Sequence, residues 1–486
     1  MKYDVTLIGA GITGCSIAYE LSKYDLKVLV LEKENDVAMG TTKANSAIIH
    51  AGYDPLPGTK MARLNVLGSK LTKKYASWMN FHYQQIGSLV IGNKERDKKL
   101  IDTLYERGIK NGVEGMRILD GREAIEKEGE KNLAPEIDYA LLAPSAAICS
   151  PWEMALALIS NAVVNGVRLI TSAPVTKIEK RGDSFFLDTR RGQFESTYVI
   201  NCAGVDADEV DAFVEKPTFR IRPVKGEYYL LDKDQGDLVS HVIFQTPSKL
   251  GKGVLVSRTV HNNLIVGPNA EEQDKDKDAQ HNETVSNTLH GLAEVRKKAV
   301  LSVPSINFFD NVRNFAGARA TIPGYDDFLI EESKEVPHFI NFAGIKSPGL
   351  SSGPAFGLEA VEMLKKDGLE MVEKKEYHRY SLPTFFKELS DEEKEKVIQK
   401  DPYYARIICR CESISEGEIL ASLKMPVPAT TIDGLKRRTN AGMGRCQGGF
   451  CGPKVFDILR NELHLGYDEV YQDRDGSKVV VSKTKE

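Results

Sequence analysis

The stretch Tyr3–Asn35, YDVTLIGAGITGCSIAYELSKYDLKVLVLEKEN, decides how the rest of the chain is read. Val5, Leu7 and Ile8 make a short apolar strand. Ile12, Cys15, Ala18 and Leu21 recur at helical spacing, and Val28 to Leu31 form a second buried strand. A strand–helix–strand unit of this length sets its two strands side by side and parallel. Gly9, Gly11 and Gly14 stand between the first strand and the helix as G-x-G-x-x-G. The first glycine permits the sharp turn, the second lets a pyrophosphate approach the backbone, and the third lets helix and strand pack closely. The helix start offers N–H groups and partial positive charge to the phosphates. Glu32 ends the second strand, where a carboxylate can accept hydrogen bonds from ribose hydroxyls. This order of features predicts a bound dinucleotide, FAD or NAD.

Outward from this unit, the pattern predicts a helix from about Lys60 to Trp78 and another from Pro151 to Asn165, with Pro151 suited to the first turn. Between Arg168 and Ile200, short strands separated by KRGDS and RRGQ turns predict a β-meander. TYVINCAGVDADEVDAF repeats the strand–turn–helix theme. Residues 218–330 are rich in strand signals, interrupted by a polar helix over about 277–301, and EEQDKDKDAQ reads as a solvated loop. HFINFAG leads into a Gly/Ser-rich turn and an amphipathic helix, for which Ser351 or Ser352 is the expected N-cap.

Composition limits the partners. Among 486 residues, 65 are Lys or Arg and 69 Asp or Glu, a formal charge of −4, which argues against general nucleic-acid binding. No apolar run reaches the ~18 residues of a bilayer span, since Ala155 to Ile170 is broken by Ser160, Asn161, Asn165 and Arg168. The start shows no secretory signal pattern, so a cytoplasmic location is expected, with any membrane association through a partner.

Seven cysteines fall into two groups. Cys15, Cys149 and Cys202 read as small buried apolar residues. Cys409, Cys411, Cys446 and Cys451 form C-x-C, 34 intervening residues, then C-x4-C near the C-terminus. In a chain without an export signal this clustering points to a metal, either structural zinc or an iron–sulfur cluster. The glycines of GRCQGGFCGP leave backbone N–H groups free to face sulfur.

Four further stretches carry a likeness: GTTKANSAIIHAGY (Gly40 to Tyr53), VINCAG (Val199 to Gly204), FAGARA (Phe315 to Ala320) and GIKSPGLSS (Gly344 to Ser352). Over about residues 1–370 the chain resembles FAD-dependent oxidoreductases of the D-amino-acid oxidase superfamily, nearest to the glycerol-3-phosphate dehydrogenase/oxidase and L-2-hydroxyglutarate oxidase branch. The tail, ICRCESISEGEI followed by KRRTNAGMGRCQGGFCGP, resembles a bacterioferritin-associated-ferredoxin-type [2Fe–2S] module. A flavin domain followed by that module is similar to the large subunit of anaerobic glycerol-3-phosphate dehydrogenase.

The resemblance implies a mixed α/β and α+β fold. A Rossmann-like FAD-binding domain (1–85, 145–215 and 335–370) combines a parallel sheet with a β-meander. A substrate domain built on an antiparallel sheet is interleaved with it (86–144 and 216–334). A linker (371–400) leads to a small cysteine-cluster domain (401–486). The FAD residues implied are Gly9, Gly11, Ile12, Thr13, Gly14, Glu32, Lys33, Gly40, Thr41, Thr42, Asn45, Ser46, Ala47, Val175, Ala203, Gly204, Gly344, Ser347, Pro348, Gly349, Leu350 and Ser351. The helix beginning near Leu350 would aim its positive end at the flavin, worth roughly 0.3–2 kcal/mol to a reduced ring.

By the same likeness, His50 would take the proton of a substrate hydroxyl as hydride leaves the carbon, and Arg319 would grip an anionic group in two parallel bonds. Ser46, Arg258, Lys346 and Ser347 are the remaining substrate-side candidates, and Cys409, Cys411, Cys446 and Cys451 the cluster ligands. The activity implied is oxidation of sn-glycerol 3-phosphate to dihydroxyacetone phosphate. Ala320 stands where glycerol-3-phosphate enzymes often carry proline, which keeps L-2-hydroxyglutarate and amino or imino acids open as substrates. Electrons would leave through the cluster to a partner subunit or a quinone. Arg410, Arg445 and Lys436–Arg438 would raise the cluster's potential. Zinc holding a docking module, and an NAD-dependent dehydrogenase, are the competing readings.

Overall fold

A computed structural model describes residues 2–246, 253–273 and 285–485. The opening strand Lys2–Ile8 runs parallel to Val28–Leu31 on one side, with Val5 opposite Val28, and to Gly192–Asn201 on the other, with Val5 opposite Tyr198. Both flanks are covered, so these strands read as apolar runs rather than alternating ones. Arg168–Ile170 extends the sheet beyond Val28–Leu31. Gly192–Asn201 divides its length: its first half pairs antiparallel with Ser184–Thr189 of the meander, its last three residues parallel with Phe339–Ala343. The meander therefore peels away over the dinucleotide side while the sheet continues beneath it.

Four helices cover this sheet: Ile12–Leu21, Lys60–Met79, Pro151–Val164 and Gly349–Lys366. The first and third bury nearly all their residues, and a single core joins them to Leu7, Val30, Ile200, Ile340 and Phe342. Ser351 and Ser352 do not cap the last helix, which begins at Gly349 after Pro348. Ser351 Oγ instead accepts the His50 N–H at 2.8 Å, and Ser352 Oγ donates to the Pro348 carbonyl at 3.1 Å. Both hydroxyls are spent on packing against neighbours.

The second sheet is antiparallel apart from one pair, Val242–Gln245 with Ser88–Gly92. Its longest partnership joins Arg222–Leu231 to Asn311–Thr321, with Val224 opposite Arg319. Leu329–Glu332, read from sequence as part of this substrate region, pairs with Phe339–Ala343 and so belongs to the first sheet. The helix expected over 277–301 is seen from Leu289 to Ala299; its first part and most of the acidic loop before it lie outside the described residues.

The segment expected to be a linker is a strap. Asp25 N–H donates to Val372 O at 2.8 Å, Asn165 and Asn161 accept the His378 and Tyr380 N–H groups at 2.9 Å, and Leu382 N–H donates to Met79 O at 2.9 Å. Helix Asp391–Lys400 follows, opened by a capping box of Ser390 and Glu393. The C-terminal unit has a two-stranded ribbon, Ile407–Cys409 with Ile414–Ser415, and three helices around Ile414, Ile419, Ala429, Leu435 and Val455. No helix among the described residues is long and apolar enough to cross a membrane.

Candidate active site and cysteine centre

The glycine turn is tight by construction. A Cβ on Gly14 would stand 2.0 Å from the Gly9 carbonyl oxygen, and Gly9 has φ +104°, which a side chain rarely tolerates. Helix Ile12–Leu21 starts immediately beyond, and Thr42 Oγ1 accepts its Ile12 N–H at 2.9 Å. Glu32 is held by two backbone donors, Ala10 N–H at 2.6 Å and Glu34 N–H at 2.9 Å. Burial pushes its carboxyl up to about 7, even though both N–H groups favour the charged form.

These elements line a cleft of about 1280 Å³ running between the two sheets. That exceeds the ~300–1,000 Å³ of ordinary small-molecule pockets and suits a dinucleotide together with a substrate. Of the residues implied for FAD, Gly9, Gly11, Ile12, Thr13, Glu32, Lys33, Gly40, Thr41, Thr42, Asn45, Ser46, Val175, Ala203, Gly204, Ser347, Pro348, Gly349 and Leu350 line the cleft. Gly14, Ala47, Gly344 and Ser351 do not. Gly14 backs onto Gly9, a Cβ on Gly344 would meet Ile322 at 2.8 Å, Ala47 N–H donates to Asn45 Oδ1, and Ser351 holds His50. They support the wall from behind. The glycine cradle, the pinned carboxylate and the helix start at Gly349 together fit FAD.

At the substrate end, His50 is fixed at three points. Its N–H donates to Ser351 Oγ, its carbonyl accepts Asn65 Nδ2 at 2.8 Å, and its Nε2 lies 3.3 Å from Ser347 Oγ. Phe244 stacks on the ring at 5.6 Å. Ser46 Oγ lies 3.2 Å from the Tyr228 hydroxyl, and both residues face the cleft. Arg319 also lines the cleft, and its guanidinium has no ion pair or hydrogen bond among the described residues. Lys346 lines it too, 3.4 Å from Asp326. Arg258 does not belong here: its strand, Leu255–Arg258, turns it toward Asn262, at 2.7 Å, and Asp237, at 3.5 Å. Sequence reasoning missed Tyr228 and Phe244. Aromatic residues inside strands carry the signal of core packing, and nothing in their spacing marks a cleft.

The four cysteines gather in two pairs. Cys411 Sγ and Cys446 Sγ are 3.6 Å apart, close to the about 3.8 Å of two thiolates on one tetrahedral metal with ~2.3 Å bonds. The Phe450 N–H draws the Cys446 thiol below its usual range, and the Gly448 and Gly449 N–H groups add to this. Burial, and then the neighbouring Cys409, push the Cys451 thiol up to about 12. Converging sulfurs, one of them in a nest of backbone donors, fit a cation-bearing cluster. The basic residues expected to bias that cluster are largely engaged elsewhere. Arg445 pairs with Asp232 and Asp234, and Arg438 and Arg437 converge on Asp36 at 2.8 to 3.0 Å. Asp36 sits just beyond the second strand of the first sheet, so these contacts dock the cysteine domain onto the dinucleotide domain. Burial would raise the Asp36 carboxyl, but the two guanidiniums carry it down to about 2.

Known proteins agree with this division. The BFD-like [2Fe-2S] binding domain matches residues 407–461. A glycerol 3-phosphate dehydrogenase of Caloramator mitchellensis is 45% identical over 99% of both chains. A glycerol 3-phosphate oxidase of Mycoplasma genitalium is 34% identical over 74% of this chain and 94% of its own. The solved L-alpha-glycerophosphate oxidase of Mycoplasma pneumoniae, dithionite-reduced with FAD bound, superposes with a TM-score of 0.74 at 31% identity, covering 79% of this chain and all of that one. The FAD dependent oxidoreductase family matches residues 4–363, and with the glycine cradle, the pinned Glu32 and the two-sheet cleft in place, the chain belongs to that family.

Proposed function

We propose that this protein is an FAD-dependent dehydrogenase that oxidises sn-glycerol 3-phosphate to dihydroxyacetone phosphate and passes the electrons through its C-terminal [2Fe–2S] cluster to a partner protein or quinone. The observation that carries the reading is Arg319, whose guanidinium faces the same cleft as His50 and Ser347 with no partner among the described residues. A planar fork binds a phosphate through two parallel charge-assisted bonds and fixes which substrate carbon meets the flavin. His50 Nε2 accepts the proton of the C2 hydroxyl, while Ser347 Oγ and the Phe244 ring set the plane of the imidazole. Lys346 adds positive charge at the same end of the cleft. When bound, FAD supplies the two-electron oxidant and the cluster a one-electron acceptor. The Caloramator glycerol 3-phosphate dehydrogenase and the Mycoplasma glycerol 3-phosphate oxidase support the substrate.

Anaerobic titration of the purified flavoprotein tests this. Glycerol 3-phosphate is expected to bleach the visible flavin band, and L-2-hydroxyglutarate and amino acids to leave it unchanged. Bleaching by either alternative, with glycerol 3-phosphate inert, overturns the assignment.

A further inference from the structure

Outside the cleft, three residues distant in sequence meet behind the active site. His82 follows the helix Lys60–Met79, Glu153 lies in the first turn of Pro151–Val164, and His261 stands in the turn between the strands Leu255–Arg258 and Leu264–Gly267. One ligand atom from each lies within 4.8 Å of the others. Glu153 is 4% exposed. Its Oε2 meets His82 Nδ1 at 2.7 Å, and its Oε1 faces His261 Nε2 at 3.7 Å. Neither Glu153 Oε1 nor His261 Nε2 has a hydrogen-bond partner among the described residues. A buried carboxylate oxygen and an imidazole nitrogen that face each other unsatisfied cost free energy unless something bridges them.

We propose that His82, Glu153 and His261 form a divalent transition-metal site, for which zinc is the probe, that fastens the substrate sheet and the C-terminal domain to the flavin domain. Two imidazole nitrogens and one carboxylate match zinc, whereas calcium and magnesium require oxygen ligands. The outer contacts are those that orient metal-bound histidines. His82 Nε2 lies 2.9 Å from Glu388 Oε1, a carboxylate placed by the strap. His261 Nδ1 lies 3.4 Å from the side chain of Asn440, whose own Oδ1 is buried without a partner among the described residues. Turning that amide end for end gives the Nδ1–H an acceptor and points the Nε2 lone pair at the ion. When the ion enters, the proton shared by His82 Nδ1 and Glu153 Oε2 leaves to solvent, and no redox change occurs. The three ligands belong to three separate segments of the chain, and Asn440 ends a helix of the cysteine domain, so the ion ties together elements that the chain joins only at a distance.

The holoenzyme, incubated with zinc sulfate and desalted, tests this. Metal analysis is expected to read one zinc per chain in addition to the iron. Zinc-edge X-ray absorption is expected to show nitrogen and oxygen neighbours at about 2.0–2.2 Å and no sulfur. Glu153→Gln and His261→Gln should each lower retained zinc at least tenfold with flavin and iron content unchanged. Three results overturn the proposal: no zinc retained by the wild-type protein, sulfur neighbours near ~2.3 Å (zinc lodged among the cysteines), or undiminished zinc in the His261→Gln protein. Should both variants lose flavin and iron through misfolding, the wild-type absorption edge decides alone.

Discussion

The glycine turn at Gly9–Gly14 and the cysteine loop at Cys446–Cys451 meet their cofactors in opposite ways. At the turn, the residues lack side chains, and recognition comes from backbone N–H groups, a helix end and one pinned carboxylate. At the loop, the four cysteine sulfurs would hold the cofactor, and the backbone N–H groups of Gly448, Gly449 and Phe450 act only on the Cys446 thiol. The first site fails by steric exclusion, the second by losing a ligand. Because they are built from separate cores, each is expected to fail without the other.

Two substitutions would break that independence if it is false. In Gly14→Val, the added Cβ starts 2.0 Å from the Gly9 carbonyl oxygen, and only movement of the turn can relieve the clash. Flavin content should fall more than tenfold while iron content per chain stays near that of the wild type. In Cys451→Ser, one ligand is lost from a buried position, and iron content and the EPR signal of the reduced cluster should vanish while the protein remains yellow. Reduction of the flavin by substrate should persist in the second variant, but electron delivery to an external acceptor should not.

How far each region was legible follows from the same contrast. Backbone-made sites leave glycines at fixed offsets, so the turn and Glu32 could be read from Tyr3–Asn35, while the cleft wall from Gly40 to Ser46 followed from the family resemblance. The cysteine spacing was equally plain. Arg258 was misplaced because a strand residue faces one of two sides, and sequence does not say which side carries the cleft. Gly14, Ala47, Gly344 and Ser351 stand one layer behind the wall, a distinction only packing reveals. The strap looked like a linker because its hydrogen bonds run to Asn161, Asn165 and Met79, far away in sequence. His82, Glu153 and His261 share no spacing at all.

The contact between the two regions can be weakened without touching either cofactor. Asp36 is the shared anion of Arg437 and Arg438, all three nearly buried. Asp36→Asn leaves the Arg438 guanidinium without its charge partner and Arg437 with Asp473 alone, a loss of about 3–5 kcal/mol in docking. Hydrogen exchange in the helix Ile432–Thr439 should accelerate by roughly two to four orders of magnitude, the rate equivalent of that energy. Flavin and iron content should hold. The wild-type contact has a defined acid limit. The folded carboxyl titrates at about 2, below its unfolded value of ~3.9, so its contribution is complete above pH ~4 and is lost as pH falls through 2.

Within the cleft, Arg319→Lys separates charge from geometry. Lysine keeps a cation opposite the substrate anion but offers a point charge instead of a fork. Losing one charge-assisted bond, about 1.5–3 kcal/mol, should lower kcat/KM roughly 10- to 150-fold. If His50 and not Arg319 positions the substrate, the loss will fall on kcat alone with KM unchanged.

The smallest effect expected is at Glu32, the buried carboxyl of the backbone-made site. In the flavin-free protein burial holds this carboxyl at about 7, above its unfolded ~4.3, so the fold is favoured by protonation. Its stability contribution is full below pH ~4.3 and declines as pH rises toward 7. Dinucleotide binding acts in the opposite sense. Ribose hydroxyls would donate to the carboxylate and add to the Ala10 and Glu34 N–H groups, so the bound state would prefer the charged form and release a proton. FAD affinity, read by quenching of flavin fluorescence, should rise severalfold between pH 6 and 8, by no more than about tenfold per unit. Glu32→Gln keeps an acceptor but cannot ionise. It should bind FAD roughly fivefold more weakly at pH 8, the worth of about 1 kcal/mol in hydrogen bonding, and show no slope with pH. A slope that survives in Glu32→Gln would assign the titration to another group and leave this carboxylate as a neutral acceptor.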